Sequence, residues 1–426
     1  PNALKNLPKT DPVSQYNRQY ANLAILTPVK LLYFQQYRIK TFIFSEVFMK
    51  TEQRSWSREE GWSSDTTSGT LKSAQLVLLF GHPSNLKNES LFKEIRLSYP
   101  DAYILSGSTA GEILKTRVYD DSLAATAIWF ESTVIKPAHL NIEDRKDSLS
   151  LGEELVDTLD HEGLHHVFVL ADGLNVNGSQ LVKGMMKHLP EAVKVTGGLT
   201  GDGGKFKETL VGANQIPESK NVVALGFYGT RLKIHYGSIS GFKPFGPLRK
   251  VTRSENNILY ELDGEPALEL YKKYLGDRYK DFPTNCFYFP IYYQTSNMEK
   301  GLVRTILGFD EKVGSITFAG DLEEGSTARL MKTNTDNLVS GAEEAAKACQ
   351  STGASSPDVA ILMSCVGRKI IMKQRVEEEI EAVEEIFGPQ TSLTGFYSYG
   401  EIAPIEDSMY SHLHNQTMSI TTFSET

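Results

Sequence analysis

Three stretches decide the fold: Ser106-Gly107-Ser108-Thr109-Ala110-Gly111-Glu112, Thr196-Gly197-Gly198-Leu199-Thr200-Gly201-Asp202 and Thr394-Gly395-Phe396-Tyr397-Ser398-Tyr399-Gly400-Glu401. Each reads hydroxyl–Gly, a short spacer, then Gly–carboxylate, and each ends the same upstream plan. A short apolar run predicts a strand at Leu76–Phe80, Val167–Leu170 and Val359–Met363. A segment with apolar spacing of three and four predicts a helix near 88–99, 179–189 and 373–387, stopping at Pro100, Pro190 or Gly388-Pro389. A second strand follows at Ala102–Leu105, Val193–Val195 and just before Thr394. Self-similarity of this kind marks a repeated supersecondary unit. The expected fold is therefore α/β: layered mixed sheets built from repeated β-α-β units, in two domains. A loop with two glycines, hydroxyls and a carboxylate at a strand end can hold a ligand. It can equally be a tight turn whose carboxylate caps backbone N–H groups.

Composition narrows the function. The net charge is −9, and residues 51–426 alone carry −14, so a phosphate backbone would be repelled and no nucleic-acid partner is expected. No apolar run reaches the length of a membrane span, so no membrane partner is expected either. Three scattered cysteines, Cys286, Cys349 and Cys365, suit a reducing compartment, and the chain reads as cytoplasmic. Residues 1–48 are basic and aromatic-rich. With 1–51 taken as an N-terminal extension, they are either non-native sequence preceding a start at Met49 or an arm that docks on a partner. The domains beyond it read as 52–245 and 246–426, with Gly241–Gly246 as linker.

The segments LVLLFGHPSN, SGSTAGEI, DGLNVNGSQL and TGGLTGDG resemble the N-terminal half of the FIST (F-box and intracellular signal transduction) family. VTRSENNILYELDGEPALELYKKYLG, GDLEEGSTARLM, LMSCVGRK and LTGFYSYGEI resemble its C-terminal half, so the likeness spans roughly residues 52–426. It implies an intracellular small-ligand sensor rather than an enzyme, with amino acids as ligands. It also implies a separate signalling protein such as a histidine kinase or a cyclic-dinucleotide enzyme, because no output domain is visible. The likeness leaves room for a haem-binding nitric oxide sensor.

Candidate ligand-binding residues are Ser108, Thr109, Glu112 and Asp202 in the first two stretches, and Cys365, Arg368, Gln374, Tyr397, Ser398, Glu401 and Asn415 in the last repeat. Arg368 could fork onto a ligand carboxylate while Glu401 holds an amine, or the two could pair with each other. Haem would need a histidine facing an apolar pocket, and His82, His188, His235, His412 and His414 are equal candidates. His82, Asp172 and Cys365 stand at matching positions past the three first strands, which admits a Cys-dependent hydrolase as an alternative. His161-Glu162-Gly163-Leu164-His165 matches a zinc-protease pattern, but Gly163 and the following strand deny it a continuous helix. No metal site is expected.

Overall fold

The computed structural model describes residues 49–63, 71–281, 286–350, 356–405 and 410–426. In each repeat the first strand pairs in parallel with the second: Leu76–Gly81 with Tyr103–Ser108, Leu164–Ala171 with Lys194–Leu199, and Val359–Cys365 with Ser392–Ser398. A return strand lies antiparallel on the other side of the first: Leu123–Phe130, Asn221–Tyr228 and Met418–Glu425. An outer strand completes each sheet: Met49–Ser57, Val134–Asn141 and Leu232–Ile239. The strand Met49–Ser57 starts inside the segment first read as extension, and residues 1–48 lie outside the described residues.

The glycine stretches cross between sheets. The hydroxyl and first glycine stand inside the second strand, whose apolar run is longer than the sequence pattern suggested. Gly197 and Gly395 have φ of 147° and 154°. A Cβ at either would meet the facing strand's carbonyl at 1.9 Å (Val169) or 1.8 Å (Leu362), so only glycine fits. After the second glycine the chain leaves its own sheet. Glu112–Leu114 of repeat one pairs with repeat three (Ile113 opposite Gly395), and Val211–Ala213 of repeat two pairs with repeat one (Val211 opposite Gly107). Gly400–Pro404 of repeat three pairs with repeat two, Ile402 opposite Gly197. Three backbone hydrogen bonds join the crossings: Gly201 N–H to Ser108 O at 2.9 Å, Ala110 N–H to Tyr397 O at 2.8 Å and Tyr399 N–H to Leu199 O at 3.0 Å. The repeats therefore close a three-membered ring.

Inner sheet faces share one apolar cluster containing Phe80, Leu170, Leu225, Met363, Phe396 and Phe423. Phe80 and Phe396 from different repeats lie 4.8 Å apart. Burial of such side chains contributes roughly 1.5–3 kcal/mol each. Outside, the helices Ser148–Asp157 and Gly178–His188 cross closely because Gly152 and Gly184 present no Cβ; one added there would meet a facing carbonyl at 2.2 or 2.1 Å.

Between repeats two and three the chain builds a nine-stranded sheet, entered through Lys243–Pro244 and left through Thr327–Lys332. The helix Ala267–Leu275 buries Leu268 and Tyr271 in its own apolar cluster. Asp263 and Gly264, both at positive φ, make the tight turn expected at LDG. Two predicted elements are broken. Leu302–Leu307 splits at Thr305, whose N–H turns to the Asn415 side chain and whose carbonyl accepts from Ala319. The predicted helix 373–387 begins as a tight turn at Lys373–Arg375 (Lys373 φ 53°) and is α-helical over Glu378–Phe387, and a separate helix, Val366–Met372, precedes it. Met372 buries against Phe242 and Leu338, whereas Ile380, Val383 and Phe387 enter the main core, so one straight helix could not serve both.

Candidate functional site

The last repeat's polar constellation is folded into the core. Arg368 is fully buried and forks onto Glu379, Nε at 2.9 Å and Nη2 at 2.6 Å, rather than onto Glu401. Its remaining N–H groups reach Ser240 O and Leu338 O, both at 2.8 Å. Ser364 and Tyr397 hydroxyls donate to the other Glu379 oxygen at 2.8 and 2.7 Å. Both charges are thus paired and hydrogen-bonded, the condition under which buried ions persist. The pairing of Arg368 with Glu401 weighed from sequence is replaced by this one. Glu379 was missed because it sits in an acidic run, yet its spacing of four and eight from Val383 and Phe387 places it on the buried face.

The Gly–carboxylates are also internally satisfied. Thr109 and Ser122 hydroxyls hold Glu112, and Ser398 and Thr417 hold Glu401 in matching geometry. Burial pushes both carboxyls up to about 7, outweighing these donors. Burial acts upward on Asp202 too, but donation from Tyr399 and from the N–H groups of Glu208, Lys207 and Phe206 holds it below the usual range. Ser108 Oγ accepts from Leu210 N–H at 2.8 Å, and Asn415 is buried between Thr305 and His414. Gln374 is exposed on the turn after Met372, apart from the rest.

His82, Asp172 and Cys365 do occupy equivalent places. Each donates its N–H to the residue entering the return strand (Ser122, Asn221 and Thr417), and His82 and Cys365 share φ of −65°. Asp172 caps the N–H groups of Leu174 and Asn175, and His82 accepts from Ser84 N–H. Burial pushes the Cys365 thiol far above its ordinary value. His161 sits in a turn, His165 is exposed on the strand beginning at Leu164, and His166 is buried against Thr196. No group of three metal-ligating side chains occurs among the described residues.

A roomy cleft lies elsewhere. A cleft of about 780 Å³ separates the helix Gly178–His188 from the nine-stranded sheet. Ser179, Gln180, Lys183 and Met186 line one wall; Tyr293, Arg304, Asp321, Glu323 and Glu324 line the other, and His412 closes one end. Asp321 clasps the walls together. Its carboxylate accepts from Asn177 Nδ2 at 3.0 Å and from Gln180 Nε2, and its N–H donates to Ser179 Oγ at 3.1 Å. Arg304 is 2% exposed and donates to the carbonyls of Leu413 (2.9 Å), Asp321 (3.1 Å) and Val303 (3.3 Å). Among the described residues no carboxylate comes within ion-pair distance of it. Burial, with Arg304 nearby, pushes the His412 ring down to about 4, so it is neutral near pH 7. None of the sequence-proposed ligand residues lines this cleft, although His412 does. Its walls come from segments more than a hundred residues apart, joined by no shared motif.

The chain matches the FIST N domain over residues 75–265 and the FIST C domain over residues 267–404, and it belongs to the FIST family. That family is associated with the sensing of small ligands in signal transduction. An uncharacterized protein of Methanocaldococcus jannaschii is 26% identical over 238 residues, 49% of this chain and 45% of that protein. The match therefore spans about half the length of this curated relative. Among solved structures, a cyanuric acid hydrolase from A. caulinodans aligns over 89% of this chain and 99% of its own, at 8% identity and a TM-score of 0.34. A likeness that loose carries no argument about activity. Among the described residues, no helix is long and apolar enough to cross a membrane.

Proposed function

We propose that the protein is a cytoplasmic, non-catalytic sensor that binds an amino acid in the cleft beside helix Gly178–His188 and signals through a separate protein. The observation that carries this reading is Arg304, a buried cation in the wall of the cleft that meets three carbonyls and the face of Tyr293 but, among the described residues, no carboxylate within ion-pair distance. A buried charge without a counter-ion is costly, and a ligand carboxylate would supply one. Glu323 and Glu324, exposed on the same wall, offer the opposite charge for an amine. The buried, protonated Cys365 speaks against a cysteine nucleophile. The test is a thermal-shift and calorimetric screen of free amino acids. At least one should stabilise the protein saturably, Arg304→Gln should abolish the shift, and the matching decarboxylated amine should fail to bind. Absence of any saturable ligand, or unchanged binding by Arg304→Gln, refutes the reading.

A second reading is haem binding, favoured by His412. Of the candidate histidines, His412 lines the large cleft and His414 a smaller one, but His414 is held by Ala403 O at 3.0 Å. A neutral, largely buried imidazole in a cleft also lined by Met186, Met298 and Tyr293 fits an axial ligand, whereas Glu323 and Glu324 do not favour haem propionates. Reconstitution should give a Soret band that His412→Ala removes.

A further inference from the structure

Phe206 stands at φ 53°, a left-handed position that strains an aromatic residue and persists only where its surroundings impose it. The surroundings are specific. Asp202 accepts the N–H groups of Phe206, Lys207 and Glu208 at 2.8, 2.7 and 2.9 Å. Tyr399, whose hydroxyl donates to the same carboxylate, stacks its ring on Phe206 at 4.5 Å and 17°. The ring is held rigidly in place, yet it remains 44% exposed.

Leu174 and Leu307 line the same groove of about 320 Å³, 38% and 50% exposed. Three of the nine exposed large apolar side chains among the described residues thus converge on one depression, floored by Phe318 and Leu199. Scattered apolar residues are ordinary on a surface, but convergence around a rigid aromatic ring marks a contact site. The chain also departs from its own charge there. In a protein of net charge −9, exposed Lys205 and Lys207 flank Phe206 at the rim of the groove, with the Lys205 amine 3.0 Å from His82 Nε2.

We propose that this groove docks a protein partner through an acidic segment that inserts an apolar side chain between Leu174, Phe206 and Leu307. The two lysines would steer the acidic segment, and the preset ring would lose little freedom on binding. Helix residues Asn177 and Gly178 and strand-end residue Gly320 border the groove, while their neighbours Ser179, Gln180 and Asp321 border the large cleft. The Asp321 clasp is therefore a wall shared with the ligand site. The docking inference does not require that reading, and it is tested without ligand.

The probe is a fluorescein-labelled peptide with Leu-Phe at its centre and glutamates on both sides, read by anisotropy against a lysine-flanked counterpart. The acidic peptide should bind saturably and the basic one should not. Phe206→Ser and Leu307→Asp should each weaken binding about tenfold or more, with melting temperatures confirming that both variants fold. Lys205→Glu with Lys207→Glu should reverse the charge preference. Equal binding of both peptides, or binding indifferent to Phe206 and Leu307, overturns the proposal. So does a dimer in sedimentation that Leu307→Asp dissolves, which would give the groove to a second copy. Phe206-dependent adsorption to phosphatidylserine vesicles without peptide binding would give it to a lipid surface and likewise overturn it.

Discussion

Arg368 and Arg304 are both stripped of water, and their partners differ. Arg368 meets a carboxylate from its own chain, and every surrounding donor closes around that pair. Arg304 meets carbonyl dipoles and the face of Tyr293 instead, and it does so at the edge of the cleft beside helix Gly178–His188. The contrast separates two uses of a buried cation. The first holds repeat three to the helix that precedes it; the second leaves electrostatic capacity for something that arrives from solution.

Removing partners should enlarge that contrast. Glu379→Ala leaves the Arg368 guanidinium buried without a counter-ion and should cost about 3–5 kcal/mol in urea denaturation. Gly395→Ala should cost about 2–3 kcal/mol, since its Cβ would strike the Leu362 carbonyl in a strained backbone region, while leaving ligand affinity unchanged in calorimetry. Arg304→Met should cost less, about 1–2 kcal/mol for its lost carbonyl bonds, yet abolish the ligand shift. A stability loss at Arg304 as large as at Glu379 would erase the distinction between the two arginines.

The smallest effect concerns Glu112 and Glu401. Burial raises both above their unfolded value, so the folded state holds more protons between about pH 4.5 and 7. Stability should therefore fall as pH rises through that window, and the full penalty stands above it. The double variant Glu112→Gln, Glu401→Gln should flatten the dependence of the urea midpoint between about pH 5 and 8 relative to the parent chain. An unchanged slope would mean that other groups dominate the titration.

Local order in this molecule was legible in sequence, because strand, helix and glycine signals act within a few residues. Leu76–Phe80, Ser315–Phe318 and the helix at 179–189 could be placed within a residue or two. Partnerships across the chain were not legible. Nothing near Glu112 says that its strand pairs with Ser392–Ser398, and nothing near Arg368 says that Glu379 outcompetes Glu401. The hydroxyl–Gly stretches drew attention as binding loops because they recur. Their recurrence has a structural source: each is a crossing point between sheets, and at Gly197 and Gly395 a Cβ would strike the facing carbonyl. The cleft escaped notice because lysines on one helix and carboxylates on a distant turn look like ordinary solvated charge until folding opposes them.

The cyclic exchange of strands has a consequence for synthesis at the ribosome. Sheet one lacks its edge until residue 213 has emerged and sheet two until residue 414, while sheet three lacks the strand that joins Leu232–Ile239 to Val359–Cys365 until residue 425. The first sheet can therefore be completed while the chain is still growing, but the ring cannot. Until Ser392–Ser398 and Gly400–Pro404 arrive, repeat one presents the unclaimed strand Glu112–Leu114 and repeat two the unfilled edge of Lys194–Leu199, both of which invite pairing with a foreign chain. The chain is most exposed to misassembly in that interval, while two repeats wait for strands of the third.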